Sequence, residues 1–422
     1  MKVLVIGAGG REHALAWQCA KFDNIEEVFV APGNAGTELE DKLTNVNIGV
    51  EDIDSLIKFA KDKQIDITIV GPEAPLVIGV VDRFQEQNLA IFGPTEAASQ
   101  LEGSKAFCKN FLDRNNIPTA YYDVFTEVDA AVSYVQEKGT PIVIKADGLA
   151  AGKGVIIAHT QADAVTAIND MLEGNRFGEA GSRVVIEEFL AGEEASFIVM
   201  VDGKNILPMV TSQDHKARDN DDKGPNTGGM GAYSPAPIVT DEIFQDVMDK
   251  VIQPTVDGMA AEGNAYTGFL YAGLMIDELG NSKVLEYNCR FGDPETQPIM
   301  MRLKSNLAEL CLLATQGNLV EANIEWDQRS AMGVVLAANG YPDAYPSGEV
   351  IGLPIDSKDA KVFHAGTKMD GDTVVSSGGR VLCATALGAN TKEAQTNAYA
   401  LLKKIDWPSA YYRTDIGFKA FK

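Results

Sequence analysis

Glu286, Asn288 and Arg290 fall at every second residue and run into the segment Phe291-Gly292-Asp293-Pro294-Glu295. In a strand and its exit, that spacing puts all three side chains on one face. A carboxylate and an amide oxygen two residues apart can give Mg²⁺ two protein ligands, leaving the other octahedral positions to phosphates and water. Arg290 beside them can hold a developing phosphoryl or carboxylate charge. A solvated strand face would show the same alternation. However, Asn is a poor strand former, and the following loop is an odd one to need no function.

A second group of cations lies in Lys145-Ala146-Asp147-Gly148-Leu149-Ala150-Ala151-Gly152-Lys153-Gly154. The segment departs from the Walker pattern, because Gly148 and Gly152 are too close and Gly154 stands where Ser or Thr would hold Mg²⁺. A glycine-rich hairpin with Lys145 and Lys153 at its ends can instead close over a triphosphate, donating backbone N–H groups while Lys145 anchors the charge. A plain hairpin is the alternative. Glu187-Glu188-Phe189-Leu190, with Glu194 beyond it, ends another strand. It can offer backbone groups to an adenine edge and a carboxylate to a ribose, although acidic residues at strand ends are as often simply solvated.

Gly7-Ala8-Gly9-Gly10-Arg11-Glu12 follows an apolar pentamer and invites a dinucleotide reading. Two features oppose it: Glu12 occupies the third small position, and Ala31-Pro32-Gly33-Asn34 stands where a ribose-binding acid belongs. A single phosphate at this helix start, with Arg11 as counter-charge, fits better. A tight turn with no ligand is the bland alternative. Residues 212–216 and 224–233 form polar, glycine-rich loops of the kind that cover sites. His13, His159, His215 and His364 show no metal-ligand spacing and no Ser/His/Asp order, so each is expected to be structural or a simple donor.

These residues need elements to position them. Residues 3–6, 28–31, 67–70 and 90–92 read as parallel strands buried on both faces, with helices at 11–21 and 54–63 between them. In such a βαβ series the loops after the strands share one edge, which brings together 7–10, 32–34, 71–73 and 93–94. A helix follows near 105–115. The β-rich stretches 141–157 and 184–201 predict a small α+β lid. Residues 269–277 and 283–287 pair across a turn at Gly280-Asn281, and 305–315 is a helix. A last unit has strands near 332–337, 361–365 and 380–386, and a helix opened by Asn390 and Glu393 in capping-box spacing.

At 422 residues, the length predicts about three domains. The apolar fraction of 45% is enough for a large interior. A net charge of -24 repels nucleic acid and anionic membranes, yet a local cleft of Lys, Arg and N–H groups can still bind a small phosphorylated ligand. Five scattered cysteines without a C-x-x-C pair read as reduced thiols. No apolar run reaches membrane length and no signal h-region is present, so the expected location is the cytoplasm.

Taken in order, these parts resemble an ATP-grasp ligase: a βαβ unit, a glycine-rich flap after a strand lysine, an acidic hinge and an E-x-N strand. The match is closest to the glycinamide ribonucleotide synthetase family. It is carried by Gly9-Gly10-Arg11-Glu12-His13, Ala31-Pro32-Gly33-Asn34, Val70-Gly71-Pro72-Glu73, Lys145-Ala146-Asp147-Gly148, Pro225-Asn226-Thr227-Gly228-Gly229-Met230-Gly231 and Asn288-Cys289-Arg290-Phe291-Gly292-Asp293-Pro294-Glu295. The resemblance covers essentially the whole chain.

The resemblance implies an α/β fold with an N-terminal parallel βαβ domain (1–102), an ATP-grasp core (103–324) with a mobile lid at about 122–192, and a small C-terminal α+β domain (325–422). It implies a carbon–nitrogen ligase that joins glycine to 5-phosphoribosylamine through glycyl phosphate, with ATP as cosubstrate and Mg²⁺ or Mn²⁺, in purine biosynthesis. ATP would meet Lys105, Lys145, Lys153, Glu187, Glu188, Leu190 and Glu194, and Glu286 with Asn288 would hold the metal. Substrate would meet Gly9, Gly10, Arg11, Glu12, Asn34, Glu73, Asp214, Lys216 and Arg290. Arg290, Asp293 and Lys145 would serve the reacting groups. Many ATP-grasp relatives carry a further acidic ligand on the preceding strand, where this chain has Leu274-Met275-Ile276. The expected partners are these small molecules and, transiently, neighbouring purine-pathway enzymes. Two rivals stay open: a carboxylase acting through carboxyphosphate, and a dinucleotide-dependent oxidoreductase.

Overall fold

The apolar pentamers at the N-terminus form one parallel sheet, in the order Leu43–Asn45, Glu27–Pro32, Lys2–Gly7, Ile67–Val70, Ile91–Phe92. A computed structural model describes residues 1–148, 154–174 and 182–421. Four of the five strands match the predicted runs. The fifth, Leu43–Asn45, is a short edge strand whose Thr44 and Asn45 carry no apolar signal. The helices Gly10–Ala20 and Ile53–Lys63 follow their strands as expected.

The lid is a four-stranded antiparallel sheet in the order Tyr122–Phe125, Val184–Glu188, Ile142–Ala146, Val155–Ala158. Helices Val128–Lys138 and Gln161–Leu172 pack with it around a separate core that includes Ile144, Ile168 and Ile186. The run 184–201, predicted to belong to the lid, divides. Val184–Glu188 stays in the lid, whereas Glu193–Asp202 crosses into a second sheet ordered Ile206–Pro208, Glu193–Asp202, Thr267–Ile276, Ser282–Asn288. Gly192, at φ +153°, makes the change of direction, and a Cβ there would lie 2.3 Å from the Ile276 carbonyl oxygen.

A third large sheet, ordered Gln213–Asp214, Gly231–Ser234, Ser330–Ala337, Arg380–Gly388, Ala360–His364, straddles residue 325. Its first two strands precede the expected boundary, so the C-terminal unit is built onto the loops that carry Asp214 and Gly229. The helix Thr391–Leu402 is capped by Asn390, whose Oδ1 accepts from the Glu393 N–H. Glu393 reaches back one residue further than a capping box requires, to the Ala389 N–H. One apolar cluster runs from Leu4 and Phe29 through Phe111 to Val199 and Leu274, and another from Val5 through Phe269 to Ile299 and Cys383. The N-terminal, central and C-terminal sheets therefore share interior, and the lid does not.

Candidate active site

The carboxyl edges of the N-terminal strands, the lid sheet, the central sheet and the C-terminal sheet meet around a cavity of about 520 Å³, within the range of small-molecule sites. Strand Ser282–Asn288 and its exit present Glu286, Asn288 and Arg290 to it from one face, as the alternation requires. Burial acts to raise the Glu286 carboxyl, but the facing Lys216, Lys105, Lys145 and Arg290 hold it down to about 2. It is therefore an anion at neutral pH. A carboxylate and an amide oxygen side by side are a donor set for a hard dication that keeps phosphate and water ligands. Among the described residues, no group of three or more His, Cys, Asp or Glu is placed to hold a metal on its own. Met275, on the preceding strand, lines the same cavity.

Lys145, at the end of its lid strand, is buried, donates to the Leu285 carbonyl at 3.3 Å and is ion-paired to Glu187. Glu187 also pairs with the buried Lys109, which donates to Thr119 Oγ1 at 2.8 Å. The Glu187 carboxylate thus pairs with two lysines. Burial opposes the charge on Lys145, and Glu187 and Glu286 more than restore it. Burial lowers Lys109 despite Glu187. The residue two after Lys145 is held in place: Asp147 Oδ1 accepts from Ser104 Oγ at 3.0 Å and from the Ala106 N–H at 3.1 Å, at the start of helix Lys105–Arg114. Lys153 and residues 149–152 lie outside the described residues. Val155, Ile157, Phe189, Leu190, Met275 and Leu285 form an apolar wall nearby, with Glu188 and Glu194 at its edge. Glu188 pairs with Lys283, and Glu194 with Lys216.

At the opposite end, Arg290 lies between Glu102, at 3.1 Å, and Glu73, at 3.5 Å. Burial raises the Glu102 carboxyl even beside Arg290, while Arg290 and Arg11 hold Glu73 low against its burial. Asp293 accepts from Gln297 Nε2 and from Arg380 Nη2, and burial fails to raise it because Arg380 and Arg11 face it. Arg380 Nη1 also donates to the carbonyls of Asp293 at 2.7 Å and Gly228 at 2.6 Å. It reaches the site from strand Arg380–Gly388, about ninety positions after Asp293 in the chain, and no local motif announces it.

The N-terminal glycine loop has another occupant. Glu12 tucks its side chain under the loop, with Oε2 accepting from the Gly9 N–H and Oε1 from Arg11 Nε. A Cβ at Gly7 (φ +137°) would lie 2.1 Å from Glu12 Cγ, and one at Gly71 would lie 2.2 Å from Glu12 Oε1, so both glycines make room for this carboxylate. It fills the space at the helix start that a dinucleotide pyrophosphate would need, which removes the structural basis of the oxidoreductase reading. Arg11 lines the cavity, whereas Gly9, Gly10 and Glu12 are not among its lining residues. Asn34 is also outside the lining. Its Nδ2 donates to the Ala8 and His364 carbonyls and its Oδ1 accepts from the Gly36 and Thr37 N–H groups, so it is fully engaged as a helix cap and interdomain tie.

Family models for phosphoribosylglycinamide synthetase match consecutive parts of the chain: the N domain over residues 1–102, the ATP-grasp (A) domain over 103–296 and the C domain over 331–419. The chain belongs to the phosphoribosylglycinamide synthetase family. It is 65% identical over 425 residues to the phosphoribosylamine–glycine ligase of Salmonella typhi, covering 100% of this chain and 99% of that one. It is 66% identical over 422 residues to that of Vibrio vulnificus strain YJ016, covering 100% and 98%. The crystal structure of phosphoribosylamine–glycine ligase from Thermotoga maritima superposes with a TM-score of 0.87 at 34% identity, covering 98% of this chain and 100% of that one. The biotin carboxylase domain of Hydrogenobacter thermophilus 2-oxoglutarate carboxylase shares the fold, with a TM-score of 0.74 at 16% identity over 97% and 91% of the two chains. The protein is thus a ligase with the ATP-grasp fold. Within that frame Lys109, Glu102, Glu295, Tyr271 and Arg380 are cavity residues that motif reading passed over. Only Glu295 had a signal, at the end of a quoted motif.

Proposed function

We propose that the protein joins glycine to 5-phosphoribosylamine, giving glycinamide ribonucleotide, ADP and phosphate, through a glycyl phosphate intermediate. The observation that carries this reading is the convergence in one cavity of four lysines, Glu286 with Asn288, and Arg290 with Arg380, in a chain matched along its whole length by that family. A carboxylate is a poor acyl donor, because its leaving group would be oxide. Transfer of the γ-phosphoryl group to a glycine oxygen forms a P–O bond and releases ADP. The amine then attacks the acyl carbon, the C–O bond to phosphate breaks, and the amine loses its proton.

This route needs no covalent nucleophile from the protein; it needs positioning, charge neutralisation and exclusion of water. Lys145 and Lys105 would meet the phosphates and the apolar wall would take the adenine. The flap that begins at Asp147 would close over both. Glu286 and Asn288 would hold Mg²⁺ or Mn²⁺, which when bound supplies charge neutralisation across the phosphates. Arg290 would face the transferring group from its place between Glu73 and Glu102, and Asp293 would order the loop beside it. The lid, at about 122–192, would then close on substrate against a body in which the units 1–102, 103–324 and 325–422 share their interior.

The test is ADP release with each substrate omitted in turn, followed by turnover of glycine labelled with ¹⁸O in its carboxylate. One labelled oxygen in the released phosphate is the expected outcome. Unlabelled phosphate with product formation would refute the acyl phosphate, and ADP release dependent on bicarbonate would instead indicate a carboxylase.

A further inference from the structure

The stretch from Ser212 to Ser234 has two sides. Asp214, Lys216, Asn226, Thr227 and Gly228 line the cavity, whereas His215 and Ala217 meet the last segment of the chain. Gly417 donates its N–H to His215 Nε2 at 3.0 Å, and His215 Nδ1 lies 3.2 Å from the Gly231 carbonyl oxygen. The ring therefore carries its proton on Nδ1 and keeps an acceptor lone pair on Nε2. Burial, and then Lys419 and Arg413, hold the imidazole down to about 3, so it stays neutral. Arg413 is fully buried; its Nη1 donates to the Ala217 carbonyl at 3.0 Å and to Asp222 Oδ1 at 2.9 Å, and its Nε and Nη2 clasp Asp415, each at 2.8 Å. Asp415 in turn accepts from the Asp221 N–H at 2.8 Å, and Tyr411 donates to Asp219 Oδ1 at 2.6 Å. None of these tail residues lines the cavity. Apolar packing alone would seal the C-terminal core, as the buried Ile416 does. A polar clasp on the carbonyls and carboxylates of one loop fixes, in addition, where that loop stands.

We propose that His215 and Arg413 are positioning residues, which seat this loop on the C-terminal segment and thereby set where Asp214 and Lys216 stand in the cavity. The assignment rests on the reading above, in which the loop serves the glycine and phosphoribosylamine substrates. His215 is the chain neighbour of both Asp214 and Lys216, so a shift at its ring reaches them through the backbone between. Lys216 must also stay in register with Glu194 and Glu286, which it pairs with across the cavity. A misplacement of about 1 Å, introduced far from the reacting atoms, can cost roughly a hundredfold in rate. The nucleotide end depends less on this seat, because Lys105, Lys145 and the apolar wall stand on other elements.

His215→Leu removes the acceptor, and His215→Gln returns an amide oxygen to the Gly417 N–H. His215→Leu should lower kcat/KM for glycine and for phosphoribosylamine roughly tenfold while the ATP KM stays within about twofold of wild type. His215→Gln should recover most of that loss. Arg413→Lys keeps the charge but cannot clasp Asp415 through two parallel N–H groups; it should show the same split between substrates, and it carries the test if His215→Leu does not fold. In a Lys216→Met background the loss from either variant should shrink, because a residue it acts through is already gone. Equal losses for all three substrates, no recovery in His215→Gln, or losses fully additive with Lys216→Met would overturn the positioning role and leave the tail a brace for the fold. Absence of glycine-dependent ADP release from the wild type would overturn the ligase reading itself, which separates the two failures.

Discussion

Glu286 shows how the cavity sets the state of a single side chain. Its folded value, about 2, lies below that of a free glutamate, near 4.3, so the ionised form is favoured by folding. The stability it contributes is present above about pH 4.3 and is lost as the pH falls through about 2. In the absence of nucleotide and metal, Glu286→Gln should therefore unfold at a lower temperature than wild type at pH 7, because Lys216, Lys105, Lys145 and Arg290 lose their shared anion. That gap should close as the pH falls from about 4 towards 2. With ATP present, the same variant should need more Mg²⁺ for half-maximal turnover, since a neutral amide holds a hard dication less well. Coincident activity curves against metal concentration would show that Glu286 is not a ligand. The placement of Glu286 in the cavity was legible from its alternation with Asn288 and Arg290. That of Glu187 was not, because its partner Lys109 lies on a helix 78 positions earlier in the chain, and nothing near either residue signals the pairing.

At the scale of elements, strand Arg380–Gly388 fixes two loops at once. Arg380 joins the Gly228–Gly229 turn to Asp293 through charge-assisted bonds. Arg380→Ala should cost about 1.5–3 kcal/mol of transition-state stabilisation, or roughly ten- to hundredfold in kcat/KM. The ATP KM should stay near wild type, because Lys145 and the apolar wall belong to other elements. Equal losses for ATP and amine substrates would mean that Arg380 acts through domain closure. The run 184–201 teaches the complementary lesson. It reads as continuous β-structure, and Gly192 marks where it breaks, but only packing shows that the two halves serve different sheets.

Across the whole molecule, the lid has its own interior while the other three sheets share theirs. Ile168→Ala, at a fully buried lid position, should cost about 2–5 kcal/mol, and the loss should fall on the lid alone. Hydrogen exchange should accelerate across the lid strands and helices and stay at wild-type rates in the sheet built on Lys2–Gly7. Acceleration spread over both would mean that lid and body unfold as one cooperative unit.

The sequence by itself determined the parallel N-terminal sheet, the alternation of Glu286, Asn288 and Arg290, and the strand that carries Lys145. Each follows from local periodicity or composition, which a chain carries wherever it folds. Tertiary structure alone decided which charges meet. Glu12 turned out to fill the glycine loop and Asn34 to act as a cap. Lys109 came to share Glu187 with Lys145, and Arg380 crossed from the last sheet to Asp293. These pairings depend on distances between residues tens to hundreds of positions apart, and a Coulomb interaction depends on separation in space rather than on order in the chain.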